Sequence, residues 1–214
     1  MKERTRNYLE NFLKENFDLF DISDKILDAV ITLVNCAQNN KILVCGNGGS
    51  AADSEHIAGE LLKSFCLKRK VNDEFKEKMS NAYGEKGLAI AEGLQQGVKC
   101  IPLTSFCGYN TAWLNDCNPE YLFAQLVNGL GESGDVLIAI STSGNSKNVC
   151  DAAMVAKQKG MKVISFTGQT GGKLRELSDV LLNVPSTETY KIQELHIKVY
   201  HLLCLCIESE MFDE

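Results

Sequence analysis

Lys41-Ile42-Leu43-Val44-Cys45-Gly46-Asn47-Gly48-Gly49-Ser50 decides the fold: an apolar strand-like run passes directly into a glycine-rich turn, and a helical pattern follows. The same order returns further on, where Asp135-Val136-Leu137-Ile138-Ala139-Ile140 leads into Ser141-Thr142-Ser143-Gly144-Asn145-Ser146. Both stretches read as strand, tight turn and helix start. At such a junction free backbone N–H groups and the positive end of the helix dipole favour an anion. Neither turn carries the lysine of the Walker pattern or the spaced glycines of the dinucleotide fingerprint, so no nucleotide is expected. Serine and threonine hydroxyls in place of lysine point to a small phosphorylated metabolite held by neutral donors.

Outward from these turns the chain keeps alternating. Apolar residues at helical spacing predict two helices between Asn7 and Asn39, with Asp21-Ile22-Ser23 as the break and second cap. A helix from about Ser50 to Phe65 follows the first turn, and then an irregular stretch to about Gln96. Strands are expected at Lys99–Leu103, Lys162–Phe166 and Val180–Val184. Helices are expected around Tyr121–Val127, Ser146–Lys159 and Lys173–Ser178, with a closing helix from about Ile192 to Met211. Short, nearly continuous apolar strands alternating with helices indicate an α/β fold: a doubly wound parallel sheet flanked by helices, with N-terminal helices in front of it. Ligands of such sheets bind beyond the strand carboxyl ends at a topological switch point, where both turns would lie.

At 214 residues, 44% hydrophobic and 23% charged, the chain suits one globular domain with a full core. A net charge of -6, with Lys68-Arg69-Lys70 as the one compact basic run, leaves no basic field for nucleic acid. No apolar run is long enough to span a bilayer, and no secretory leader is read at the start, so no membrane association and a cytoplasmic location are expected. The nine cysteines are odd in number and include no C-x-x-C pair, and several sit inside apolar runs. Most are expected to be small buried hydrophobes in a reducing compartment.

The three histidines fall in two segments. His56 and Glu60 stand one turn apart on the helix after the first turn, where an imidazole and a carboxylate can reach one divalent ion or one substrate. The closing helix holds Gln193, His196 and His201. Gln193 and His201 are ~12 Å apart along a helix and ~80° around it. One ion could join them if the side chains lean toward each other, if Gln193 precedes the regular helix, or if they come from different subunits. His196 reads as a partly buried surface residue.

At these residues the chain resembles the sugar isomerase (SIS) domain proteins, and among them the sedoheptulose-7-phosphate, or phosphoheptose, isomerases. The resemblance runs over nearly the whole chain. It rests on Gly46–Ser50, Asp53-Ser54-Glu55-His56 through Glu60-Leu61, Asn115-Asp116 and Gly134–Leu137. Further along it includes Ile140–Ser146, Lys159–Ile164 and Ile192–His201. It implies a single SIS domain over 1–214, flavodoxin-like and three-layered, with N-terminal helices over 1–40 and an insertion over 66–96.

The resemblance further implies a homotetramer with active sites between subunits. Asn47, Gly48, Gly49, Ser50, Ser141, Thr142, Ser143 and Ser146 would contact the phosphosugar, together with Glu60 and Gln193. Asn115 and Asp116 would close the pocket. His56, Glu60, Gln193 and His201 would hold zinc, one ion per subunit. The implied reaction turns sedoheptulose 7-phosphate into D-glycero-D-manno-heptose 7-phosphate for heptose precursor synthesis, with Glu60 as base and His201 as acid. Three features depart from the family pattern: Ser64 stands where an arginine is common, Tyr190 where an aspartate is frequent, and the insertion is long. It reads as a solvated surface excursion, with a lid as the alternative. Two other functional readings remain beside the main one, a non-catalytic phosphosugar-binding regulator or adaptor and an isomerase of another phosphosugar.

Overall fold

In the computed structural model, which describes residues 1–213, each of the five expected apolar runs becomes a strand. The elements in order are α1 (Glu3–Glu15), α2 (Ser23–Asn39), β1 (Ile42–Gly46), α3 (Gly49–Leu62), α4 (Asp73–Gly93), β2 (Cys100–Pro102) and α5 (Cys107–Asp116). They continue with α6 (Leu122–Leu130), β3 (Val136–Ile140), α7 (Lys147–Gln158), β4 (Lys162–Thr167), α8 (Leu174–Leu177), β5 (Val180–Asn183) and α9 (Thr189–Phe212). The strands form one sheet in the order β2-β1-β3-β4-β5, every pairing parallel.

Alternate strand residues feed two cores. Ile42, Val44, Val136 and Ile138 pack with Leu33 of α2, Ile57 of α3 and Leu203 of α9. Leu43, Cys45, Leu137 and Ala139 face the other way, onto Phe123 of α6, Val149 and Ala153 of α7 and Leu174 of α8. With both faces covered, no strand position needs a polar residue, which is why these runs read as unbroken apolar blocks. Six cysteines (36, 45, 100, 150, 204 and 206) are buried in these cores, whereas Cys66, Cys107 and Cys117 are exposed, and none of the nine is paired.

Three expectations need correction, and one helix had no forerunner in the sequence reading. Ser23 does not cap α2: it is the first helical residue, its side chain makes no cap bond, and a 3₁₀ turn over Phe17–Ile22 precedes it. The segment 107–116 is helical although it buries no residue, so it carries no apolar stripe for periodicity to detect. His196 is fully buried, because α9 lies flat on the sheet: its ring meets Phe166 edge-on and its Nε2 bonds the Thr167 carbonyl oxygen at 3.2 Å.

The last correction concerns the stretch to Gln96, expected to be irregular and found to be largely helical. Asn72 caps α4 by accepting the Phe75 N–H, and the helix breaks at Gly84, whose φ of 61° is a glycine conformation. Lys70 pairs with Gln95 in an antiparallel bridge, so the two ends of a 21-residue element meet. A straight helix of that length would hold them ~30 Å apart. The segment is therefore a helical hairpin bent at Gly84, with Gly87 close against the Met79 carbonyl oxygen. Only Gly87 and Ala91 of it are buried.

The base of this hairpin is clamped beside α3. Arg69, 2% exposed, donates to the Leu61 and Glu60 carbonyl oxygens at the end of α3 and pairs with Glu208 at 2.7 Å. The Glu208 carboxylate also accepts the amides of Phe65, Cys66 and Leu67. The last carbonyls of a helix have no partner within it, and here a guanidinium serves them.

Candidate active site

The chain leaves β1 and β3 side by side, and from β1 the sheet order runs out in opposite directions, to β2 and to β3. That is the switch point of a 2-1-3-4-5 sheet, and both turns sit on it. In the first, Gly48 has φ 57°, and a Cβ on Gly46 would strike Ser50. In the second, the Gly144 N–H bonds the Ser141 carbonyl oxygen at 2.9 Å, and the Ser141 and Ser146 hydroxyls meet at 2.9 Å. Gly144 has φ 67°, and a Cβ there would overlap the Gly171 carbonyl oxygen, so only glycine lets the loop after β4 back this turn. Asn47 and Asn148 join the turns by exchanging amide hydrogen bonds of 2.9 and 3.0 Å. Asn47, Gly48, Gly49 and Ser143 are exposed at this mouth, Thr142 and Ser146 half-buried, and Ser50 and Ser141 buried beneath them.

Gly49, Asp53, His56 and Glu60 follow at intervals of four, three and four residues, so they form one stripe of α3 within about 60°. Across it lies α9. Gln193 packs on Gly49, where a Cβ would overlap its side-chain amide, and the Tyr200 hydroxyl meets Asp53 Oδ1 at 3.2 Å and His56 Nδ1 at 2.9 Å. Matched contacts advancing along both helices mean that α3 and α9 run parallel. His201 then reaches His56: their Nε2 atoms are 3.5 Å apart, and His56 Nε2 is 3.4 Å from Glu60 Oε1.

Burial beside His56 lowers the His201 pKa, with Glu60 opposing, which favours the neutral ring. Burial also raises the Asp53 pKa, while Tyr200 and His56 oppose, and Asp53 Oδ2 has no partner. The Glu60 carboxylate is mostly buried and takes a second contact from Lys63 at 3.2 Å. His201 opens on its other side into a groove of about 390 Å³ between α1 and α9, lined in part by Tyr8, Phe12 and Leu202.

The spacing of the trio tests it as an ion site. Donors at ~2.0–2.2 Å from one tetrahedral ion stand roughly 3.3–3.6 Å from one another. The observed 3.4 and 3.5 Å fall within that range, and the ligands are of the borderline type that divalent transition metals accept. Among the described residues no group of three or more His, Cys, Asp or Glu side chains already surrounds a common point. Gln193 stands at Gly49, and α9 begins at Thr189, so Gln193 and His201 share one regular helix. Of the three ways to join them, a start of the helix after Gln193 is thereby removed.

Asn115 and Asp116 end α5, both exposed, hydrogen-bonded to each other at 2.8 Å and to neither turn. The sequence reading missed three participants: Asn148, the second residue of α7, and the pair Asp53 and Tyr200 beside His56. The spacing of Asp53 on the stripe of His56 and Glu60 was a usable signal. Nothing in the sequence alone marks Tyr200, which lies in an apolar helix face.

Strand order, paired turns and a helix-borne trio define a SIS domain, and a family model described as SIS domain matches residues 110–168. The chain is 41% identical to the phosphoheptose isomerase of Helicobacter pylori (strain P12) over 191 residues, covering 89% of this chain and 86% of that protein. Two solved phosphoheptose isomerases superpose along nearly their whole length. That of Neisseria gonorrhoeae has a TM-score of 0.72 at 34% identity, covering 97% of this chain and 98% of its own, and that of Francisella tularensis 0.74 at 30%, covering 98% and 100%. The chain belongs to the phosphoheptose isomerase family, a family of enzymes.

Proposed function

We propose that the protein converts sedoheptulose 7-phosphate into D-glycero-D-manno-heptose 7-phosphate, the ketose–aldose step of heptose precursor synthesis. The observation that carries this reading is the shared stripe of α3. Gly49 at the phosphate-type turn and His56 of the trio are ~10 Å apart along one helix face, a length suited to an extended sugar phosphate. The turns hold the phosphate through hydroxyls and helix-start amides. That leaves C1 and C2 beside the trio. Glu60 takes the C1 proton and returns one to C2, and His201, held neutral, donates from Nε2 to the oxygen on which charge develops.

Zinc, one per subunit, on His56, Glu60, Gln193 and His201 is part of the proposal; the spacing of His56, Glu60 and His201 supports those three ligands, and Gln193, which packs on Gly49 in the same chain, would have to lean toward them or come from another subunit. A divalent ion bound there supplies Lewis-acid polarisation of the carbonyl. His201 Nε2 cannot both hold an ion and donate a proton, so the role of His201 depends on which use operates. A homotetramer in which a neighbouring subunit completes each pocket is also part of the proposal, and the exposed Asn115-Asp116 pair would be open to such a neighbour. Nine unpaired cysteines fit a cytoplasmic setting. Among the described residues no helix is long and apolar enough to cross a membrane.

The test is incubation with sedoheptulose 7-phosphate, with and without a chelator, following the aldoheptose phosphate by NMR. Product that vanishes on chelation supports the ion-assisted form, and product unaffected by it supports direct acid–base use of the trio. Glu60→Gln is expected to lower kcat by ~10²–10⁴-fold with sugar phosphate still bound. Binding without turnover in the unaltered protein would instead identify a phosphosugar sensor.

A further inference from the structure

Tyr200 is 2% exposed; its ring meets His201 edge-on, and its hydroxyl reaches His56 at Nδ1, the nitrogen that does not face Glu60 and His201. Its hydroxyl has one proton to give and two neighbours. Asp53 Oδ1, at 3.2 Å, belongs to a carboxylate, which only accepts; His56 Nδ1, at 2.9 Å, can give or accept. If Tyr200 donates to Asp53, its oxygen is free to accept from Nδ1–H, and every proton in the chain is placed. The neutral His56 ring then has no proton on Nε2. That bare nitrogen is the one that faces Glu60 Oε1 and His201 Nε2. The 3.5 Å contact between the two imidazole nitrogens needs one proton between them, and with His56 Nε2 bare His201 Nε2–H supplies it.

We propose that Tyr200, held by Asp53, is a positioning residue that fixes His56 as its Nδ1–H tautomer and so presents a bare Nε2 to Glu60 and His201. The value of that tautomer rests on the reading of the trio as the reacting or ion-holding centre. Its existence does not. Outer partners of this kind fix ring orientation and raise the basicity of a nitrogen that must bind an ion or a proton.

The experiment is long-range ¹H–¹⁵N correlation of the histidine rings in metal-free protein near pH 8, with the three histidines assigned by single substitution. In the unaltered protein His56 is expected to show a protonated Nδ1 and an unprotonated Nε2. Tyr200→Phe removes only the hydroxyl, and should move His56 toward the Nε2–H form and weaken Zn²⁺ or Co²⁺ binding by ~10–100-fold. Asp53→Asn, whose amide can donate to the Tyr200 oxygen, should move the tautomer the same way. A His56 that is Nε2–H in the unaltered protein overturns the proposal, and so does a Tyr200→Phe variant with unchanged tautomer and ion affinity. Should Tyr200→Phe not fold, the tautomer in the unaltered protein and in Asp53→Asn decides. An Nδ1–H His56 in a protein that neither binds ions nor turns over sugar phosphate would uphold the assignment and overturn the isomerase reading.

Discussion

Gly49 shows how a single residue can carry a site. Its lack of a side chain admits the Gln193 amide against the start of α3, so the family's glycine–glycine pair does more than shape a turn. Gly49→Ala should leave the fold intact, since the group it displaces is the far end of a flexible side chain. It should raise the KM for the sugar phosphate by a factor comparable to that of Gln193→Ala. The double variant should be no worse than either single one, a non-additivity that steady-state kinetics can read directly. At this scale the candidate residues His56 and Glu60 were readable from type and spacing and His201 from the family resemblance, and the structure brings those three together. Asn148 and Tyr200 were not. Their roles come from partners 101 and 144 positions away, and no local spacing records such contacts.

At the scale of elements, strands were the easiest to find, because burial on both faces imposes unbroken apolar runs. The α4 hairpin and α5 escaped for the opposite reason: one buries two residues and the other none, so little hydrophobic periodicity exists to be read. The α9–β4 contact yields a prediction of its own. His196 is buried neutral, its pKa pushed down to about 4 from 6.5 by loss of solvent. Above pH 6.5 neither state is charged. Below it the unfolded chain takes up a proton that the folded protein refuses until about pH 4. Stability should therefore fall over that window, by about 3 kcal/mol from this group. Denaturation of the protein and of His196→Gln across pH 4–7.5 checks this: the difference between the two should shrink or reverse as the pH drops.

For the molecule as a whole, the body and the arm are separable. The hairpin of α4 is closed at its base by the Lys70–Gln95 bridge and anchored by Arg69 and Glu208, while the arm beyond buries almost nothing. Replacing residues 73–93 with a two- or three-residue glycine-rich link should leave Tm within a few degrees, since no core residue but Ala91 is lost. Calorimetry tests that, and turnover of the shortened protein separates a surface excursion, which keeps kcat, from a lid, which loses it.

The parallel pairing of α3 with α9 also bears on how this protein can vary. Every residue added to or removed from either helix between its matched contacts rotates the remainder of that helix by ~100°, sending side chains from the facing stripe to the back. An indel between Gly49 and Glu60, or between Gln193 and Glu208, would thus break the match between the Gly49–Gln193 contact, the histidine pair and the arginine clamp, whatever residue it introduced. The arm, closed at its own base, should accept a change of length without disturbing that match. Among related chains the spacing within these two helices should be invariant even where residues differ, and length variation should collect between Lys70 and Gln95.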